Sequence, residues 1–216
     1  MNNMLLDIIY SVPAILIAFT IQGYAKAKMA DKLGDKTPRF QGRLSLNPID
    51  HIDPMGLILI LIAGFGWTKP LNTNPNAYKR GHKDTIKVIV AGPLANLLVG
   101  FIGAFVFVFF ANFFVNSKVM PTSVYVVTLS MISAIVSVNV SLFIFNLLPI
   151  PGLAGFEIWK NFWPKSFYKY ADTIYQYQMF IMIGIILLGQ YVLAMPVGYI
   201  YTLFINIAGL VLGLFF

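Results

Sequence analysis

Chemistry has few places to reside in this chain. Its 216 residues include two histidines and no cysteine, which excludes thiolate metal sites and disulfides outright. His51 stands in Asp50-His51-Ile52-Asp53. Its plain reading is a loop histidine held by a hydrogen bond; the sharper one is a weak surface metal contact shared with Asp50 and Asp53. His82 stands in Lys79-Arg80-Gly81-His82-Lys83, where three neighbouring cations repel a divalent ion, so it reads as a solvated loop residue. A hydrolytic zinc needs three protein ligands and a water. These side chains do not supply them.

The other candidates are polar residues within apolar stretches. Lys26 lies at the end of the first such stretch, and an ionisable group there is costly and functional by default. One reading lets its long stem carry the ammonium to the membrane surface. The other makes it a counter-charge for Asp31, Glu157 or an acidic partner helix. Asn96 follows the pair Gly92-Pro93 and, read plainly, hydrogen-bonds a neighbouring helix. Asn146 precedes Pro149 and Pro151. Proline removes donors and ends a helix, so the backbone that follows must line a cavity or groove.

The elements that position these residues are membrane spans. The chain is 58% hydrophobic and 11% charged, where soluble domains carry about a quarter charged residues. We read an integral membrane protein forming one membrane domain over 1–216. The net charge of +7 fits basic loops on one membrane face better than nucleic-acid binding. The opening Met1-Asn2-Asn3-Met4-Leu5-Leu6-Asp7 lacks a basic n-region, and no small-residue cleavage site follows. It is expected to begin a retained span.

The first span is expected from Leu5 to about Ala25, kinked at Pro13, followed by a polar, basic connection over 26–53. Met55 to Gly66 is apolar but too short to cross as a helix, which favours a re-entrant or β-hairpin element. Spans are expected at Val88–Val115, interrupted at Gly92-Pro93, and at Ser123–Leu148. Phe156–Tyr177 interleaves aromatic residues with Lys160, Lys165 and Lys169, a pattern suited to the headgroup level. Two closing spans, about 178–195 and 197–216, are expected to part at Pro196. The fold class is thus an all-α polytopic membrane protein with about five transmembrane helices. If 55–66 enters and leaves on one side, nearly every Lys and Arg falls on one face and Lys118 alone on the other. The N-terminus is then outside and the C-terminus cytoplasmic.

Several stretches together resemble the site-2 protease family of intramembrane zinc metallopeptidases. Ala18-Phe-Thr-Ile-Gln-Gly-Tyr-Ala-Lys26, with its exit Lys32-Leu-Gly-Asp35, is similar to the helix that carries His-Glu-x-x-His. Phe40–Gly56, Gly64–Pro70 with Asn74-Pro75, and Ala91-Gly-Pro-Leu-Ala-Asn96 follow in family order. Asn146-Leu-Leu-Pro-Ile-Pro-Gly-Leu-Ala-Gly155 is similar to Asn-Leu-Leu-Pro-Ile-Pro-Pro-Leu-Asp-Gly. The resemblance covers roughly residues 14–160, with the site-2-protease-like core at about 5–160 and further helices at about 176–216.

The resemblance implies a zinc held by positions 22, 26 and 154, with the base at 23. Residues four apart share a helical face, so two imidazoles there reach one metal. Here these positions are Gln22, Gly23, Lys26 and Ala154. A neutral amide is a poor ligand, glycine takes no proton, an ammonium repels the ion, and alanine offers no donor. No catalytic residue and no zinc is therefore expected. What the resemblance retains is a groove for a membrane segment, expected to use Asn96, Asn146, Pro149, Pro151 and Lys26. Its expected partners are a membrane protein or transmembrane peptide and the lipid bilayer, in a prokaryotic plasma membrane. The expected function is that of an inactive homologue acting as regulator or assembly factor. The alternatives are an active intramembrane metallopeptidase with a compensated metal site, and a small transporter component using Lys26, Asn96, Asn139 and Asn146.

Overall fold

The structure is a computed structural model and describes residues 3–63, 66–114 and 120–214. The described residues fold as helices: α1 (Asn3–Lys32), α2 (Thr37–Phe40), α3 (Pro54–Ala63), α4 (His82–Phe114), α5 (Thr122–Asn146), α6 (Ala154–Phe162), α7 (Pro164–Gln176) and α8 (Gln178–Leu212). Four are long and apolar enough to cross a membrane, at Ile8–Lys32, Lys83–Phe114, Thr122–Asn146 and Tyr191–Leu212; counting a bent pair as one span raises this to five. The all-α polytopic architecture expected from the sequence is present. Lys118 lies outside the described residues.

Three boundaries differ from the expectation. First, α1 continues seven residues past Ala25, so Lys26, Lys28 and Lys32 ride on a helix and not in a loop. Its stop is chemical: Gly34 takes a left-handed φ of 115°, and the Asp35 carboxylate accepts from the backbone N–H of Thr37 and of Asn74 at 2.9 and 2.7 Å. The Lys32-Leu-Gly-Asp35 exit thereby ties the helix end to a distant loop. Second, α4 begins at His82 and passes through Gly92-Pro93 without a break. Third, α8 is one helix of 35 residues running through Pro196. The two closing spans are therefore one continuous helix, about 52 Å long. Pro13, Pro93 and Pro196 all lie inside helices, where neighbouring helices supply what the proline removes. If α8 alone crosses, the spans number four; if the bent α7–α8 pair forms a span of its own, they number the expected five.

Residues 54–63 form a helix where a β-hairpin was one of two expectations. A single antiparallel bridge, Ile52 with Thr68, joins the chain on either side. The two ends of the segment are thereby held side by side. Its Ile60 packs against Ile15, Phe19 and Leu142, which supplies the apolar contact that a ten-residue helix cannot provide alone.

The bundle centre is α1, α4 and α5, with α8 laid against α4 and α5. Small residues permit this closeness. A Cβ on Gly100 or Gly103 of α4 would sit 3.2 or 3.1 Å from Val140 or Val136 of α5. Membrane helices lack a hydrophobic drive toward each other, and close backbone packing replaces it. α7 meets α8 at 80°. Phe156, Phe167 and Ala171 are buried between α6 and α7, with Trp159 against them.

Candidate functional site

One face of α1 near its end carries Gln22, Gly23 and Lys26. It packs against α4 at Gly92, where a Cβ would come within 2.6 Å of Lys26 Cε and 3.0 Å of Gln22 Cγ. The glycine of Ala91-Gly-Pro93 is there because the side chains at 22 and 26 pass directly over it. A larger residue would push both away.

Gln22 is 1% exposed and is engaged at both ends of its amide. Its Oε1 accepts from Asn96 Nδ2 at 2.8 Å and from Asn146 Nδ2 at 3.4 Å. Its Nε2 donates to Thr68 Oγ1 at 3.3 Å and, more weakly, to Asn146 Oδ1 at 3.5 Å. Asn146 also donates to the Leu142 carbonyl at 2.8 Å. Three helices and the returning segment at Thr68 meet in this cluster. Every member is neutral, so it holds the helices together without the desolvation cost of buried charge.

The third ligand position of the resemblance follows the end of α5. The chain turns through Pro149–Gly152, with Leu153 N–H donating to the Ile150 carbonyl at 3.0 Å, and restarts as α6 at Ala154. A Cβ on Gly155 would overlap the Leu147 carbonyl oxygen, so only glycine allows the restart to fold back. Gly152 has φ 91°. Proline, which the family motif places here, cannot adopt that angle. The turn carrying position 154 follows a different backbone path from one built with proline.

His51 is fully buried. Its Nε2 lies 2.7 Å from the Ser45 carbonyl and must be the protonated nitrogen, since a carbonyl only accepts. Nδ1 is thus a bare lone pair, without a partner among the described residues. It rests on Gly23, where a Cβ would overlap it. Burial pushes the His51 pKa down, as does the nearby Arg43 charge; the Ser45 hydrogen bond and Asp50 oppose them. The surface metal contact with Asp50 and Asp53 is not open to a ring placed this way.

Gln22, Gly23, Lys26, Asn146, Pro151 and Ala154 line one cavity of about 430 Å³. The positions matched by sequence therefore converge in space. Asn96 stands behind Gln22, outside the cavity wall, and so does Pro149. Asn139 is buried elsewhere on α5, donating to the Ile135 carbonyl at 2.8 Å. Sequence reasoning did not single out Thr68 or Arg43. Arg43 is 5% exposed, lines the cavity, and donates to the carbonyls of Lys69 and Pro70 at 2.9 and 3.1 Å. Its only signal in sequence was an arginine within the Gly42–Pro48 stretch.

The residues present do not fit the zinc implied by the resemblance. Position 22 is an amide already bonded at both ends, 26 is an ammonium and 154 is a methyl. Among the described residues no group of three His, Asp or Glu lies close enough to hold a metal.

The family model of Peptidase family M50 matches residues 10–189. A protein of Bacillus subtilis (strain 168) named "Putative zinc metalloprotease YwhC" is 37% identical over 187 residues, which is 85% of this chain and 84% of its own length. No solved structure matches the chain.

Proposed function

We propose that this chain, which belongs to peptidase family M50, the site-2 protease family, binds a membrane segment in the family groove without cleaving it. The observation that carries this reading is the Gln22–Asn96–Asn146 cluster, an amide network at the place of the metal, beside a cavity that has stayed open. Hydrolysis of a peptide bond by a metallopeptidase needs an activated water on the metal and a base. Neither has side chains to support it here. Such a protein acts by occupancy, as a regulator or assembly factor holding a transmembrane peptide. Its setting is a prokaryotic plasma membrane, with the basic loop face cytoplasmic.

The name of the Bacillus subtilis relative favours a second reading, that of an active zinc metallopeptidase. Elemental mass spectrometry on purified protein separates the two. We expect far less than one zinc per chain after brief chelation. A stoichiometric zinc that survives chelation would establish the second reading.

A further inference from the structure

The cavity wall carries more cations than anions. Lys26, Arg43 and Lys69 stand in its wall against the single carboxylate of Glu157. The nearest acidic residue of α1, Asp31, is already paired with Lys36 and Arg39 at 3.2 and 2.8 Å. No ion pair joins Lys26 to Asp31 or Glu157, and among the described residues nothing accepts a hydrogen bond from its ammonium. Arg43 stands behind it, its charge partly met by Asp50, its two Nη groups held by the Pro70 and Lys69 carbonyls and its Nε buried and without a partner. Of the three counter-charges open to Lys26, the two within the chain are not used. The rest of the wall is largely apolar, including Trp67, Phe145, Ile150 and Leu153.

We propose that the cavity receives a carboxylate carried by a membrane-embedded segment of another protein, with Lys26 as its direct partner and Arg43 reinforcing the positive field. This rests on the groove reading above and names the chemistry of its occupant. Charge complementarity singles out an acidic side chain. A lone Asp or Glu is costly inside a bilayer and seeks a partner there, while Lys26, on the first helix able to cross a membrane, is a cation lacking one. Apolar walls accept the rest of such a segment, and the low dielectric strengthens the pairing.

The test uses full-length protein in neutral detergent at pH 7. The probe is a fluorescent Leu–Ala peptide of about 20 residues with one central Asp, compared with the same peptide carrying Asn. We expect the Asp peptide to bind at least about tenfold more tightly, the lower range for close charge pairs. That preference should vanish in Lys26→Met, persist in Lys26→Arg, and be untouched in the exposed control Lys28→Met. A photo-crosslinker at Leu153 should capture the Asp peptide. Equal binding of both peptides with capture at Leu153 overturns the carboxylate but leaves the groove. Absence of capture for both overturns the groove reading and this proposal together. A preference that survives Lys26→Met, or capture at Leu153 of phosphatidylglycerol added to the micelles in place of peptide, also overturns it.

Discussion

The ring of His51 rests on Gly23, with Nδ1 in the place that a Cβ on residue 23 would take. Glycine at the family's base position is thus more than a missing carboxylate. It is the floor of a histidine site. Gly23→Ala should cost about 1–3 kcal/mol, because the ring must shift from a packed position. The cost should fall markedly in a His51→Ala background, as coupled neighbours do. Thermal unfolding of the four proteins of this cycle measures it. An equal cost in both backgrounds would show that the contact is not responsible.

The same histidine gives stability a pH dependence. Its folded pKa is lowered by burial, while the unfolded chain titrates near about 6.5. The unfolded state therefore binds the extra proton first. The contribution is fully present above about 6.5 and is lost as pH falls toward the folded value. We expect the melting temperature to drop between about pH 7 and pH 5, and His51→Gln to flatten that slope. An unchanged slope in the variant would place the titration elsewhere.

The amide cluster should be worth about 1 kcal/mol per bond, in the range measured for hydrogen bonds between membrane helices. Asn96→Leu strands Gln22 Oε1 with only its 3.4 Å contact, so it should destabilise. Gln22→Leu in addition should cost less than the separate losses added together. Unfolding in graded denaturing detergent reads these differences. Simple additivity would mean that the two side chains act independently.

Metal binding should return only when all three ligand positions change together. Gln22→His, Lys26→His and Ala154→Asp jointly, with Gly152→Pro to reset the turn that carries position 154, are expected to bind zinc, and Gln22→His alone is not. Elemental analysis decides this. Tight zinc in the single variant would reveal ligands already present.

Topology is directly readable, since the chain has no cysteine of its own. Single cysteines at Lys36, Asn76 and Lys165 should label from one side. Cysteines at Thr122 and Leu214 should label from the other. Leu214 labelling together with Lys36 would mean that α8 does not cross once.

Much of this was legible in the chain. The spans at α1, α4 and α5 followed from apolar length, and the motif stretches that converge on one cavity followed from their order in the chain. The broken helix at Pro149 and Pro151 was legible too, because two prolines so close leave no helical register. Pro196 misled for the opposite reason: a single proline in a membrane helix is tolerated by its packing, and packing is not written locally. The seat of His51 on Gly23 joins residues 28 apart, and Gln22 reaches Asn146 across 124 positions. Such pairings depend on how helices cross. The helix at Pro54–Ala63 shows the limit of length reasoning, since ten apolar residues suit a helix or a strand equally until Ile60 finds its neighbours.

The left-handed Gly152 makes the shape of the cavity wall depend on a residue that never enters the amide cluster. Proline at 152 would demand a φ of about −65° where the backbone runs at 91°, and any side chain with a Cβ is strained there. The wall at Leu153 and Ala154 therefore keeps its course only while glycine holds position 152.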